Sequence, residues 1–169
     1  MSVENVIDFL AGRLQEYGIK SGFNDPAERE RVIRYLQGKS MESRYAYLTG
    51  YMDSQILVHL LLSKLRVAFP PKDSKDIILG FTGVPQQTHT LYGHCLGSAE
   101  LNGNHSAFPL AVHQNLRNTV LHELGHVFGA EHIDNSTPSS MNPVQNDQGT
   151  LAFDNTNRER IIVGMASRQ

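Results

Sequence analysis

The sequence predicts an α+β protein in which a helical region is followed by a small mixed sheet with further helices. Up to the pair Pro70-Pro71, apolar side chains recur at three- and four-residue steps, the spacing of amphipathic helices. After that pair, short apolar runs alternate with glycine and asparagine turns, which is typical of strands. The chain has 169 residues, enough for one domain with a sizeable core. We therefore expect a single domain over 1–169, with N-terminal helices over 1–70 and the core of the domain over 74–169.

Three helices are predicted in the N-terminal region. The first ends at Gly18. The second begins after Asp25, which caps it, has Pro26 in its first turn and stops at Gly38. The third and longest is expected from about Met41 to Arg66.

Three strands and two helices are predicted in the second part of the chain. The run 77–81 is uniformly apolar, which indicates a buried strand. Two further candidates are 90–96 and 106–112. Pro109 assigns the latter to a sheet edge or a broken strand, because proline donates no hydrogen bond to a neighbour. Helices are expected over about 115–128 and 155–166.

Composition and charge exclude several classes of protein. Fifteen basic and 17 acidic residues give a net charge of -2, without the basic excess of nucleic-acid-binding proteins. A single cysteine, Cys95, excludes an internal disulfide and a multi-cysteine zinc finger. Apolar runs are too short for a membrane span, and no secretory signal is visible. We expect no nucleic-acid or membrane partner and, for a complete chain, a cytoplasmic location. The oligomeric state stays open.

Histidines are concentrated in one part of the chain, and three of them have the spacing of metal ligands. His122 and His126 are four residues apart, so on a helix they lie on one face and can bind one ion together. His132 is too distant on a continued helix, but Gly129 can adopt the left-handed conformation that turns the chain back. Glu123 can reach a water molecule beside the ion. Three imidazoles plus water form the open site of a catalytic zinc ion.

The same helix is predicted to be amphipathic. Its apolar residues fall on the side opposite the histidines, so we expect the histidine face to be polar and to open outward into a cleft. These apolar residues are Val120, Leu121, Leu124, Val127 and Phe128.

The segment from His122 to His132 resembles the zinc-binding motif of the metzincin metalloproteases, H-E-x-x-H-x-x-G-x-x-H, which is followed by a methionine turn. Ser140-Met141-Asn142-Pro143 is similar to that turn. The resemblance implies that the histidines of the motif bind one zinc ion, that Glu123 is the catalytic base, and that Met141 forms an apolar floor beneath the site. It is closest to matrixins and reprolysins. No subfamily is matched fully, since Pro143 stands where astacins and serralysins have a tyrosine.

The resemblance and the residues together imply a hydrolase, a zinc-dependent endopeptidase. Zinc lowers the pKa of its bound water, Glu123 accepts the proton, and the hydroxide attacks a peptide carbonyl. The expected partner is an extended peptide or protein, bound along a strand edge near Leu91 to Leu96. Asp134 either orients a ligand histidine or caps its loop.

Two other functions stay open. A zinc-dependent RNA-processing family has the same histidine spacing but lacks the glutamate after the first histidine, so Glu123 and the slightly acidic charge favour a peptide substrate. The chain could also be an inactive or latent zinc-binding module whose N-terminal helices, residues 1–67, occupy the cleft. A weaker second metal site is conceivable from His94, His105 and His113. Cys95 is more consistent with a small buried residue than with a latency switch.

Overall fold

The computed structural model describes residues 2–19, 21–82, 97–109, 116–133, 137–142 and 150–169. Within these ranges it has five α-helices and a three-stranded mixed sheet, which confirms the predicted α+β class. The described residues form two compact units, one up to His59 and the other from Leu60 onward. The single domain stays a prediction. None of the helices in the described part has the length and apolar character needed to cross a lipid bilayer.

The first unit is helical, as predicted. Its helices are α1 (Val3–Glu16), α2 (Pro26–Leu36) and the first part of α3 (Met41–Ala68), with a single 3-10 turn at Gly22–Asn24. Gly18 and Gly38 follow the ends of α1 and α2 with φ of 72° and 73°, the left-handed conformation expected after a helix. The buried core of this unit consists of Ile7, Phe23, Val32, Leu36, Tyr47, Leu48 and Tyr51.

The second unit contains the rest of α3, the sheet and two further helices. The strands are β1 (Ile78–Thr82), β2 (Ser98–Ala99) and β3 (His105–Pro109), and the helices are α4 (Leu116–Val127) and α5 (Asn155–Ala166). β3 lies between β1 and β2, parallel to β1 and antiparallel to β2. The predicted bounds of α5 are confirmed, and those of α4 agree to about one residue.

Two expectations about the strands are wrong. β3 is the central strand of the described sheet, so the edge position predicted from Pro109 is wrong, while the alternative of a broken strand is not contradicted. Pro109 is the last residue of β3, and the described pairing with β2 reaches only Ala107. The proline therefore lies beyond the part of β3 that is hydrogen-bonded to strands on both sides. β1 is not buried on both faces: Leu79 and Phe81 are 37% and 48% exposed. An apolar run does not distinguish a fully buried strand from one with a single covered face. The candidate strand 90–96 lies outside the described residues.

Candidate metal centre

Helix α4 places His122, Glu123 and His126 within little more than one turn. This face is more enclosed than expected of one that opens outward into a cleft, because His122 and Glu123 are only 8% and 7% exposed and His126 is half-buried. Four of the five apolar residues assigned to the opposite face are only half-buried, namely Val120, Leu121, Leu124 and Phe128. Burial of the polar face is tolerated because its side chains find partners inside the protein, as the His122 ring does at the Ser140 carbonyl.

The three histidines of the motif meet at one point. Nε2 of His122 lies 3.0 Å from Nε2 of His132 and 3.2 Å from Nε2 of His126, and the remaining pair is also 3.2 Å apart. Corners of a tetrahedron 2.0–2.1 Å from a zinc ion are separated by about 3.3–3.4 Å. Among the described residues, these three are the group whose ligand atoms could hold a metal ion. The spacing therefore fits a metal ion held by three imidazoles.

The hydrogen bonds of the rings explain why a cation suits this arrangement. Nδ1 of His122 lies 2.7 Å from the Ser140 carbonyl oxygen, and Nδ1 of His126 lies 2.8 Å from that of Ala130. A carbonyl oxygen only accepts hydrogen bonds, so each Nδ1 carries the proton and donates it. In a neutral ring, Nε2 then presents a lone pair. Two lone pairs facing each other at 3.2 Å repel, and a cation between them removes that repulsion.

Burial determines the ionisation of two groups in the site. Burial, reinforced by the neighbouring His126 and His132, lowers the pKa of His122 to about 3, so the ring is neutral and ready to act as a ligand at pH 7. Burial also raises the pKa of the Glu123 carboxyl to about 8. A dication held by the histidines would favour the ionised carboxylate and oppose that increase.

The turn after α4 returns His132 to the other two histidines, as predicted. Gly129 has a φ of 91°, the left-handed conformation expected there. The Ala130 N–H donates to the Gly125 carbonyl at 2.9 Å, which closes the helix end. A Cβ on Gly129 would lie 3.2 Å from Cγ of Asn102 and closer still to its Oδ1. Glycine is therefore required by both the backbone angle and the space.

Met141 lies under the helix, in agreement with the predicted apolar floor. Its side chain is fully buried, and its sulfur is so close to α4 that a Cβ on Gly125 would lie 2.5 Å away. Gly125 directly precedes His126 on that helix. Because Gly125 has no side chain, the methionine can approach the helix axis at this point. The Ile133 N–H donates to the Met141 carbonyl at 3.3 Å, which joins the floor to the chain just after His132.

A polar network beneath the site could not be found from the motif. Asn157, Asp154 and Ser139 are joined by hydrogen bonds of 2.8 Å between Asn157 Nδ2 and Asp154 Oδ2, and between Ser139 Oγ and the same oxygen. The one signal in the sequence is the position of Asp154 immediately before a predicted helix, where aspartate is a favoured cap. That signal does not identify the other two residues.

The weaker second metal site finds no support in the described ranges. His105 is 4% exposed, and its ring lies 2.9 Å from both the Glu100 carboxylate and the Phe69 carbonyl oxygen, so both nitrogens already have protein partners. His94 and His113 lie outside the described residues. So do Cys95, Asp134, Pro143 and the expected substrate edge at Leu91 to Leu96.

No protein-family model, curated protein or solved structure matches this chain.

Proposed function

We propose that the protein is a zinc-dependent endopeptidase of the metzincin type. The observation that supports this most is the convergence of three histidine Nε2 atoms, 3.0–3.2 Å apart, on a helix that also holds a buried glutamate beside the first ligand. The left-handed Gly129 and the buried Met141 agree with the same family pattern.

His122, His126 and His132 would hold the ion. All three donors are imidazole nitrogens, which suit zinc, and three protein ligands leave a position open for water or substrate. When bound, zinc supplies Lewis-acid chemistry: it makes water more acidic and polarises the carbonyl of a substrate. Ser140 and Ala130 fix the ring orientations of His122 and His126 through their carbonyl oxygens.

Glu123 would act as the general base. Its carboxylate accepts a proton from the attacking water while the new C–O bond forms at the peptide carbonyl carbon. It then gives that proton to the departing amine as the C–N bond breaks, so the carboxylate is regenerated. The backbone of Gly97 covers this side chain so closely that a Cβ there would lie 2.7 Å from Glu123 Cγ, which limits the conformations open to the carboxylate.

The substitution Glu123→Gln tests the base. We expect peptide hydrolysis to fall by roughly 10²- to 10⁴-fold, the usual contribution of a positioned general base, while zinc content stays unchanged because Glu123 is not a ligand. Glu131→Gln is the matched control, since Glu131 is also adjacent in the chain to a histidine of the site but its exposed carboxylate pairs with Arg160. Hydrolysis of a mixed peptide library is measured with zinc and again with a chelator.

The same preparations are assayed on RNA. Cleavage of RNA without cleavage of peptides would replace the proposal with the RNA-processing alternative. A parent protein that binds zinc but hydrolyses neither substrate, before or after limited proteolysis, would favour the inactive module. Equal peptide hydrolysis by the parent and Glu123→Gln would exclude Glu123 as the base.

A further inference from the structure

His132 differs from the other two histidines in how the chain positions it. His122 and His126 are fixed by α4 and by hydrogen bonds from their rings to backbone carbonyls. His132 follows the end of the helix, lies in a segment without regular secondary structure, and has an exposed side chain. The backbone just before His132 therefore helps to set where its ring lies.

The backbone of Glu131, just before His132, is held by Asn157 of α5, which lies 26 positions further along the chain than Glu131. Asn157 Oδ1 accepts a hydrogen bond from the Glu131 N–H at 2.9 Å, and Asn157 Nδ2 donates to the Glu131 carbonyl at 3.0 Å. The amide thus pairs with both polar backbone groups of the residue immediately before His132. Asn157 is fully buried, so these bonds are shielded from competition with water.

The same end of α5 also holds the floor of the site. Asp154 caps the helix by accepting from the Asn157 N–H at 3.0 Å, and its second oxygen orients the Asn157 amide at 2.8 Å. Ser139 donates to that carboxylate and accepts from the Met141 N–H at 3.1 Å. The start of α5 therefore fixes Glu131 and Met141 together, through side chains that satisfy one another.

We propose that Asn157 is a positioning residue for the third metal ligand: its buried amide holds the backbone of Glu131 and so keeps His132 at the metal centre. This inference rests on the metal site of the proposed function but not on peptide hydrolysis. Removal of the amide leaves the N–H and the carbonyl of Glu131 without this partner and releases the segment before His132 from α5. Substitution of residues that orient metal ligands typically lowers affinity by about 10- to 100-fold.

A double-mutant cycle on the full chain tests the proposal. Zinc affinity is measured by competition with a chelating dye for the parent, Asn157→Ala, His132→Ala and the double variant. We expect Asn157→Ala to weaken zinc binding about 10- to 100-fold when His132 is present, and less than about twofold when it is absent, because coupled residues are not additive. Replacement of zinc by Co²⁺ gives a second readout, since loss of a ligand changes the visible absorption of the ion.

Arg160→Gln is the matched control. It removes the other contact between α5 and Glu131, an ion pair of 2.7 Å whose side chains are 40% and 56% exposed, and we expect no change in zinc affinity. Asn157→Ser, smaller but still polar, enters the same cycle so that the result does not depend on one variant folding.

Two results would overturn the proposal. One is unchanged zinc affinity in folded Asn157 variants, including the case in which the melting temperature falls to the same extent with and without zinc. The other is an equal loss of zinc affinity with and without His132, which would show a general role in the scaffold. A parent protein that binds no zinc would refute the metal site itself, and this is seen before any variant is compared.

Discussion

Substitution of Gly129 by alanine should be unusually disruptive, because the change acts on both the backbone and the packing of the turn that returns His132. With φ at 91°, an alanine must adopt a left-handed conformation, which costs roughly 1–2 kcal/mol for a residue with a Cβ. The new methyl group would also overlap the Asn102 side chain, whose Cγ lies 3.2 Å from the Cβ position. Overpacking of this kind costs about 1–3 kcal/mol. We expect a total loss of about 2–5 kcal/mol in the free energy of unfolding.

Alanine substitutions at two other glycines separate the cost of the left-handed backbone from the cost of the steric overlap. Gly18 and Gly38 have φ of 72° and 73° but no atom within 4 Å of their Cβ positions, so alanine there incurs only the backbone cost of about 1–2 kcal/mol. The excess at Gly129, about 1–3 kcal/mol, is the clash with Asn102. Asn102→Gly should relieve it, because glycine accommodates the φ of 55° at that position and keeps the N–H that donates to the His126 carbonyl at 3.0 Å.

Urea unfolding followed by circular dichroism gives these free energies, each variant being compared with its own parent under one set of conditions. In the Asn102→Gly background, Gly129→Ala should cost no more than alanine at Gly18. Zinc affinity should fall with Gly129→Ala and recover in part in the double variant, since the turn sets the return of His132. If alanine at Gly129 is no more destabilising than at Gly18 or Gly38, the steric argument is wrong.

Three further predictions concern the third metal ligand, the methionine floor and the half-buried carboxylate of Glu100. His132→Ala should sharply reduce the zinc retained, as found by elemental analysis, and a chelator should lower the melting temperature of the parent but change that of the variant much less. Met141→Leu should cost less than about 1.5 kcal/mol and retain zinc, whereas Met141→Ala should cost about 2–5 kcal/mol by leaving a cavity; zinc loss with leucine equal to that of a ligand variant would show direct metal binding. Partial burial opposes ionisation of Glu100, but hydrogen bonds from His105 and Asn104 and the charge of Arg66 outweigh it, so its pKa falls below the ordinary 4.5. A carboxyl whose pKa is lowered by folding stabilises the folded protein when the pH is above its ordinary pKa, and this stabilisation is lost as the pH falls through the lowered pKa. The loss of stability caused by Glu100→Gln should therefore be greatest near neutrality and shrink below about pH 4.5. A difference that stays constant from pH 7 to pH 3 would exclude this electrostatic role.

The parts of the site that could be predicted depend on contacts that are local in the chain. The shared face of His122 and His126 follows from the pitch of a helix, and the return at Gly129 follows from the need for a left-handed residue at a helix end. Both require only the identity and spacing of neighbouring residues. The helix bounds were predictable for the same reason, because capping residues and the glycines at 18 and 38 act within one turn.

The errors arise where a residue's surroundings come from distant segments. Burial of His122 on α4 is tolerated because the Ser140 carbonyl, 18 positions away, accepts a hydrogen bond from its ring, and hydropathy along the helix does not contain that information. The edge position expected from Pro109 is wrong because the rule treats a strand as uniform, whereas the described pairing with β2 stops before the proline.

The metal ligands are close together in the chain, whereas the groups that orient them are not. The three histidines lie within eleven consecutive residues, but their orienting groups come from the Met141 turn and from α5, where Asn157 is 26 positions from the Glu131 backbone that it holds. A chain could keep every residue of the motif and still lose the third ligand through one change at Asn157. Conversely, a chain with weak overall similarity to known zinc proteins can assemble the site, provided its distant segments satisfy the same backbone groups. The presence of the motif predicts the ligands, and the hydrogen bonds to Glu131, His122 and His126 decide whether these ligands meet.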